Sequence, residues 1–416
     1  MSEHHAISAG TLFPPLPLAA SEALALLPEA LGRVRPLNVA QRRALPEDAA
    51  ALSRLLTVDR ADMRRPYWAS PAFVSAYMYY FLPWNLLRLM RLFTSLPLAE
   101  LRLAPSGGEA LLADIGSGPL TLPMALWLAR PDLEEAPLRL LALDSAPQPL
   151  ELGKALFRVL GEILGRRVWP IRTERETLWQ FVRKPHPLGW STCLVTAANV
   201  LNERRARPAH CSRGGRAEGS PRFPSGEECE YGDILRPFLS LRGRAQNPSA
   251  LLVVEPGTRL GGKTVMALRE EAQAVGLGAI APCTHNAACP LARRGGGRGK
   301  SGRSWCHFTF DCVGAPGWLE SLSAEAGLTK KALSLSFLLL ESVEKLRFDG
   351  GSARIRVISA PFTVPGLTGK ARYACSAKGL LLLEDTERAA CGDERHARVA
   401  PDAPRDAKSG AIVFKR

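Results

Sequence analysis

Apolar residues recur at three- and four-residue spacing through the first hundred positions, the rhythm of helices with one buried face. AASEALALLPEALGRV (19–34) and PEDAAALSRLLTVDRADM (46–63) both carry it. The longer run SPAFVSAYMYYFLPWNLLRLMRLFTSL (70–96) opens with Ser70 and Pro71, suited to an N-cap and a first helical position. Pro83 inside it predicts a kink or break. Tyr77, Tyr79, Tyr80, Trp84 and Asn85 are available to a ligand, but an aromatic helix packed on the next domain is the simpler expectation.

From residue 111 the rhythm changes to short apolar runs alternating with helical ones. Strands are expected at 111–115, 138–144, 168–173, 192–201 and 249–257, with helices at 121–130, 148–164, 177–184 and 233–244 between them. This order predicts an α/β fold with a mostly parallel, doubly wound sheet. The segments 331–343 and 352–362 are expected to supply its last two strands, and 371–386 a hairpin around Lys378 and Gly379.

Two stretches break the pattern. Residues 203–232 are rich in Arg, Gly, Pro and Ser and read as a flexible insertion. Residues 281–312 hold four of the nine cysteines and two of the seven histidines. The expected organisation is a helical domain at 1–100, a core at 101–280, a cysteine-rich loop at 281–312, the last core strands with a hairpin at 313–385, and a charged, loosely held tail at 386–416.

Charge and cysteine usage add to this picture. Net charge is +14, a balance that favours nucleic acid or an acidic surface as partner. No run of about 18 apolar residues exists, and MSEHHAISAG has no secretory pattern, with Arg33 the first arginine. A cytoplasmic, reducing location is expected, where clustered cysteines bind metals rather than form disulfides.

The turn DIGSGPLT (114–121) joins a strand to a helix through Gly116 and Gly118. No GKS or GKT follows, and Thr121 stands where the dinucleotide fingerprint has its third glycine. An acid opening the turn, Asp114, and another ending the next strand, Asp144, suit S-adenosylmethionine (SAM). Asp144 is placed to accept ribose hydroxyls. Asn199, Asn202 and Glu203 end a strand, at the sheet edge where ligands bind.

Cys283, Cys289, Cys306 and Cys312 are spaced unlike a zinc knuckle, and thiolate softness does not separate zinc from an iron–sulfur cluster. His285 and His307 are able to complete a zinc site. Unlinked reduced thiols, or Cys283 as a methyltransferase nucleophile, are the other readings. Arg293, Arg294, Arg298, Lys300 and Arg303 lie between two of the cysteines and suit phosphate contact.

YMYYFLPWNLLRL, LLADIGSGPLT, TAANVLNE, LLVVEPGTRLGG, APCTHNAACPL, WCHF and CSAKG together resemble the methyltransferase-like small-ribosomal-subunit assembly factors of bacteria and mitochondria. The resemblance runs from about 70 to 385. It implies a class I SAM-dependent methyltransferase (Rossmann-like) fold, small-subunit rRNA and the small ribosomal subunit as partners, and ribosome association in a bacterial cytoplasm; the sequence does not fix the oligomeric state, for which a monomer is the default expectation. It also implies a [4Fe–4S] cluster on Cys283, Cys289, Cys306 and Cys375, which makes Cys312 a bystander. SAM contacts carry over to Asp114, Gly116, Gly118 and Asp144, with Asn199 at the neighbouring edge. The 203–232 insertion and the Gly/Arg-rich loop depart from the family pattern. No NPPY-type motif or general base is evident, so no catalytic residue is assigned. A non-catalytic factor with a zinc site is the alternative.

Overall fold

The computed structural model describes residues 10–57, 67–98, 109–184, 190–201, 231–245, 249–292, 304–342, 353–364, 369–385, 389–397, 399–400 and 403–414. Helices α1 (Leu18–Val34), α2 (Val39–Thr57), α3 (Pro71–Ala76) and α4 (Leu82–Phe93) precede the first strand. Ser70 caps α3, its hydroxyl accepting from the Phe73 amide, as expected. Pro83 does not break the run. A π-turn at Tyr77–Phe81 carries the chain into α4, with the Leu82 amide reaching back to the Tyr77 carbonyl. That wider bonding accommodates a residue without an N–H.

The core follows as β1 (Glu109–Ile115), α5 (Thr121–Ala129), β2 (Leu138–Leu143), α6 (Pro147–Leu164), β3 (Ile171–Glu174), α7 (Leu178–Arg183), β4 (Trp190–Ala198), α8 (Gly232–Arg242), β5 (Ala250–Pro256), α9 (Arg259–Ala274) and β6 (Leu277–Ala281). After the cysteine loop come β7 (Phe308–Phe310), α10 (Gly317–Glu325) and β8 (Leu333–Ser342). The strand order is β3-β2-β1-β4-β5-β8-β6, with β7 also paired to β8. The first five strands in that order are mutually parallel, and β8 runs antiparallel to both β5 and β6. Order reverses between β1 and β4, so the ligand crevice of a doubly wound sheet opens at their carboxyl ends.

Alternate residues of each strand feed two cores. Ala110 and Leu112 of β1 join the core that holds α1, α4, α5 and α6. Leu111 and Ala113 join the core that holds α7, α8 and α9. The amino-terminal helices therefore thicken one face of the sheet. Tyr79 and Tyr80 donate to the carbonyls of Arg35 and Leu328, and Trp84 Nε1 donates to Ser323 Oγ. These three aromatics pack internally.

Two expectations about the carboxyl-terminal third are corrected. Residues 353–357 are not a core strand. They form β9 of a second sheet with β10 (Phe362–Thr363), β11 (Lys370–Ser376), β12 (Gly379–Asp385), β13 (Glu394–Ala397) and β14 (Ile412–Phe414), in the order β13-β9-β11-β12-β14 with β10 on β11. The last core strand is instead LGAIA (277–281), too short and glycine-interrupted to show a strand rhythm. The expected loose tail supplies β13 and β14, because the second sheet has free edges to pair them. The β11–β12 hairpin turns where expected, before Gly379. The 203–230 part of the insertion and the Arg293–Arg303 loop lie outside the described residues.

Gly153 of α6 lies against the glycine turn, and a Cβ there would stand 2.3 Å from the Pro119 carbonyl carbon. Backbone cannot rotate away as a side chain can. Gly153→Ala is expected to cost about 1–3 kcal/mol and to lower the thermal unfolding midpoint measured by circular dichroism by several degrees.

Candidate functional site

The first site is the β1–α5 turn. Gly116 and Gly118 both hold left-handed backbone, at φ +62° and +52°. Their roles differ. A Cβ at Gly116 would strike Val200 Cγ2 at 2.5 Å, whereas one at Gly118 would meet nothing within 4 Å. Gly116 serves packing between the turn and the end of β4, and Gly118 borders open space. The Gly118 amide donates to Asp144 Oδ2 at 2.9 Å, and Asp144 Oδ1 accepts from the Ala146 amide at 2.9 Å. Asp144 thus ties the carboxyl end of β2 to the glycine turn and also steadies the start of α6.

Asp114 is turned inward, only 1% exposed. Its Oδ2 accepts from Ser117 Oγ at 2.5 Å and its Oδ1 from Thr196 Oγ1 at 2.6 Å. Burial pushes its carboxyl up to about 7, against the pull of these two hydroxyls. It shapes the turn and bonds β1 to β4. Ser117 and Thr196 were not singled out in the sequence, where a small hydroxyl residue inside an apolar strand has no distinct signal.

Asn199 ends β4 in left-handed backbone at φ +61°. Its Oδ1 accepts from Arg88 Nη2 of α4 at 3.4 Å, and the same nitrogen donates to Asn85 Oδ1 at 2.8 Å. Asn85 and Arg88 therefore bring the amino-terminal helices to the crevice. Asn202 and Glu203 lie outside the described residues. Glu255, fully buried in β5, accepts from the Leu201 amide at 3.0 Å. The EPGT motif contains this residue, but a sequence does not say where a carboxylate points.

The second site begins one turn further on. Trp305 Nε1 donates to the Gly257 carbonyl at 3.1 Å. A Cβ at Gly262 would stand 2.5 Å from Trp305 and 2.6 Å from the Cys306 carbonyl. Glycine there lets α9 touch the cysteine loop. Arg269 of α9 donates to the carbonyls of His285 and Ala287 at 3.2 and 2.7 Å. Arg356 of β9, buried beside Glu394, donates to the Pro282 carbonyl at 3.1 Å. Thr284 Oγ1 donates to the Arg354 carbonyl at 2.9 Å.

These bonds hold the loop against the second sheet, where β11 carries Cys375. Cys283, Cys289, Cys306 and Cys375 lie within electrostatic reach of one another. Burial first, and then the other three thiols, push Cys306 well above the usual thiol range. Burial and the thiols of Cys283 and Cys289 do the same to Cys375, while Arg269 and Arg356 act in the opposite direction. His285 Nε2 lies 3.4 Å from Cys375 Sγ. Burial and Arg269 push its ring down to about 4.

Cys312 sits elsewhere, its Sγ facing the Lys330 carbonyl at 3.7 Å. His307 stacks on Trp305 instead of facing the thiols. Cys391 is a further thiol within reach of Cys306 that the sequence reading passed over. The described cysteines are free thiols. Among the described residues, no group of three or more His, Cys, Asp or Glu side chains is arranged to hold a metal ion. No described helix is long and apolar enough to cross a membrane.

Five parallel strands in the order β3-β2-β1-β4-β5, followed by an antiparallel strand and then β6, define a class I SAM-dependent methyltransferase fold. Similar solved structures include TrmK of M. capricolum with S-adenosylhomocysteine, at 14% identity and TM-score 0.25, covering 47% of this chain and 59% of that one. A SAM-dependent methyltransferase from Geobacter sulfurreducens with S-adenosylhomocysteine is similar at 11% identity and TM-score 0.27, covering 62% and 90%. The carboxyl-terminal domain of precorrin-6Y C5,15-methyltransferase from Rhodobacter capsulatus is similar at 15% and 0.26, covering 61% and 88%. The chain thus spans about three fifths of the first of these structures. No curated protein matches the chain.

Residues 240–314, from the end of α8 through the cysteine loop, match the family described as mitochondrial small ribosomal subunit Rsm22. This match supports the resemblance to the methyltransferase-like small-ribosomal-subunit family, the one to which the chain is similar.

The raised pKa of Asp114 has a definite sign. An acid with a folded value near 7 and an unfolded value near 3.8 contributes stability below about pH 4 that is lost as pH rises through 7. The full swing is on the order of 4 kcal/mol. Urea unfolding midpoints are expected to fall between pH 5 and 8, and Asp114→Asn to flatten that fall. A wild-type curve as flat as the variant's would contradict the assignment.

Proposed function

We propose that this protein is a SAM-binding, methyltransferase-like factor that acts on small-subunit rRNA during assembly of the small ribosomal subunit, with a structural [4Fe–4S] centre beside its SAM site. The observation that carries the SAM reading is the bond from the Gly118 amide to Asp144, made at the edge of open space. Asp144 Oδ1 accepts from the Ala146 amide and, at 3.5 Å, from the Ser145 hydroxyl, while Oδ2 accepts from the Gly118 amide alone and keeps a lone pair for a ribose hydroxyl. Gly118 allows a ligand close to the backbone, and Asp114 holds the turn in shape from behind. Asn199 lines the neighbouring edge. Bound SAM supplies an electrophilic methyl group.

The donor chemistry of the second site fits a four-thiolate centre. What supports this reading is that Cys283, Cys289 and Cys375 each act electrostatically on Cys306, that the described cysteines form no disulfide, and that Arg269 and Arg356 act on Cys283 and Cys375 in favour of the thiolate forms. Cys283, Cys289, Cys306 and Cys375 would hold the cluster, which joins the loop to the second sheet. The Rsm22 match and the net charge of +14 support the ribosomal partner. Phosphate contact by Arg293, Arg294, Arg298, Lys300 and Arg303 belongs to the same reading.

One observation favours a second reading, a SAM-binding factor that transfers no methyl group. Arg88, which cannot act as a general base, is bonded to Asn199 at the edge of β4.

Asp144→Ala is expected to weaken S-adenosylhomocysteine binding roughly 10- to 100-fold in calorimetry, the effect of losing charge-assisted hydrogen bonds. Labelled SAM supplied with small-subunit rRNA or subunits separates the two readings. Incorporation that Asp144→Ala abolishes supports the enzyme, and none on any substrate supports the factor.

Cys375→Ser, purified without oxygen, is expected to lose the brown visible absorbance and most of its iron, and to bind rRNA less tightly. Iron content equal to wild type would remove Cys375 from the ligand set. Stoichiometric zinc in the wild type would replace the cluster with a zinc site.

A further inference from the structure

His285 is buried at 4% exposure on the loop between β6 and β7. Its Nε2 meets Cys375 Sγ at 3.4 Å, and its Nδ1 is buried with no partner among the described residues. The backbone on either side is fixed. Its own carbonyl accepts from Arg269, the Asn286 carbonyl accepts from Gln273 Nε2 at 2.7 Å, and Asn286 Oδ1 accepts from the Ala279 amide at 2.9 Å. The preceding Thr284 is bonded to β9. The imidazole is held on a fixed backbone with the Cys375 sulfur as the partner of its Nε2.

The four cysteines are unequal in a way that matters here. Three belong to the loop that His285 itself belongs to, and Cys375 arrives from another sheet. Cys283 feels the Arg269 guanidinium, which acts against the effect of burial on its thiol. Cys375 receives His285.

We propose that His285 is a positioning residue of the sulfur centre: its Nε2–H donates to the Cys375 sulfur, aligning the one ligand that the loop does not carry and drawing charge from it. This rests on the four-cysteine reading above. A hydrogen bond to a ligating sulfur stabilises the more electron-rich state of a cluster and raises its reduction potential. It also slows loss of the ligand from iron, because the sulfur cannot swing away without breaking the bond.

The test uses the full chain purified or reconstituted without oxygen. Wild type is compared with His285→Gln, which keeps an N–H donor, and with His285→Phe and His285→Met, which do not. Iron and sulfide content, far-ultraviolet circular dichroism, a reductive titration followed by electron paramagnetic resonance, and the rate of iron loss to a chelator are measured. The two non-donor variants are expected to keep their fold, shift to a more negative potential and lose iron several-fold faster, with Gln close to wild type. A wild-type chain without iron and sulfide overturns the four-cysteine reading and this inference with it. A cluster-bearing wild type whose potential and iron-loss rate both non-donor variants leave unmoved overturns this inference alone. If one non-donor variant does not fold, the other makes the same comparison.

Discussion

The carboxyl end of β5 is the constraint on which both sites depend. Glu255 is buried without exposure there, and a carboxylate taken from water costs several kcal/mol unless it is bonded. It meets that requirement partly by accepting the Leu201 amide, just past the end of β4. Two residues later the Gly257 carbonyl accepts Trp305, the neighbour of Cys306. One short segment thus fixes the edge of the crevice between β1 and β4 on one side and the cysteine loop on the other. Gly261 and Gly262 permit this closeness, since a Cβ at Gly261 would strike the Pro256 carbonyl and one at Gly262 would strike Trp305. The EPGTRLGG motif is the sequence trace of that junction.

Both sites follow one physical logic: polar groups are removed from water only where other parts of the chain hold them. Asp114 is held by hydroxyls from its own turn and from β4. Arg356 is held by Glu394 and by two carbonyls. Arg91 of α4, also buried, donates to Phe13 and Val313 carbonyls and to Asp311. Such groups rigidify what they join, because each loses its partners if the elements separate. Side chains of this kind link the two sheets, the amino-terminal helices and the cysteine loop, in addition to the apolar core that joins the helices to the main sheet.

Much of the core was legible in the chain. Six of the eight strands of the main sheet, and the helices between the first five, declared themselves by apolar runs of the right length. The acid–glycine turn was legible because backbone that must turn sharply leaves glycines behind. What was not legible had a physical reason in each case. Strand β6 is five residues long and interrupted by glycine, so it has no rhythm to read. The segment 353–357 has a strand pattern, but pattern does not name the sheet a strand joins. Ser117, Thr196 and Glu255 are ordinary polar residues whose importance comes from what they face.

The chain by itself therefore determined the alternation of strands and helices, the glycine turn between two acids, and a concentration of cysteines without disulfide spacing. Those features depend on local chemistry: side-chain periodicity, backbone freedom and thiol content. Only the tertiary structure decided which cysteines share a neighbourhood. Cys312 is six residues from Cys306 in the chain and faces Lys330. Cys375 is 69 residues away (375 − 306) and meets His285. Distance along a chain measures connectivity, and a site is built from proximity in space, which here is set by a second sheet docking on the loop through Arg356 and Thr284.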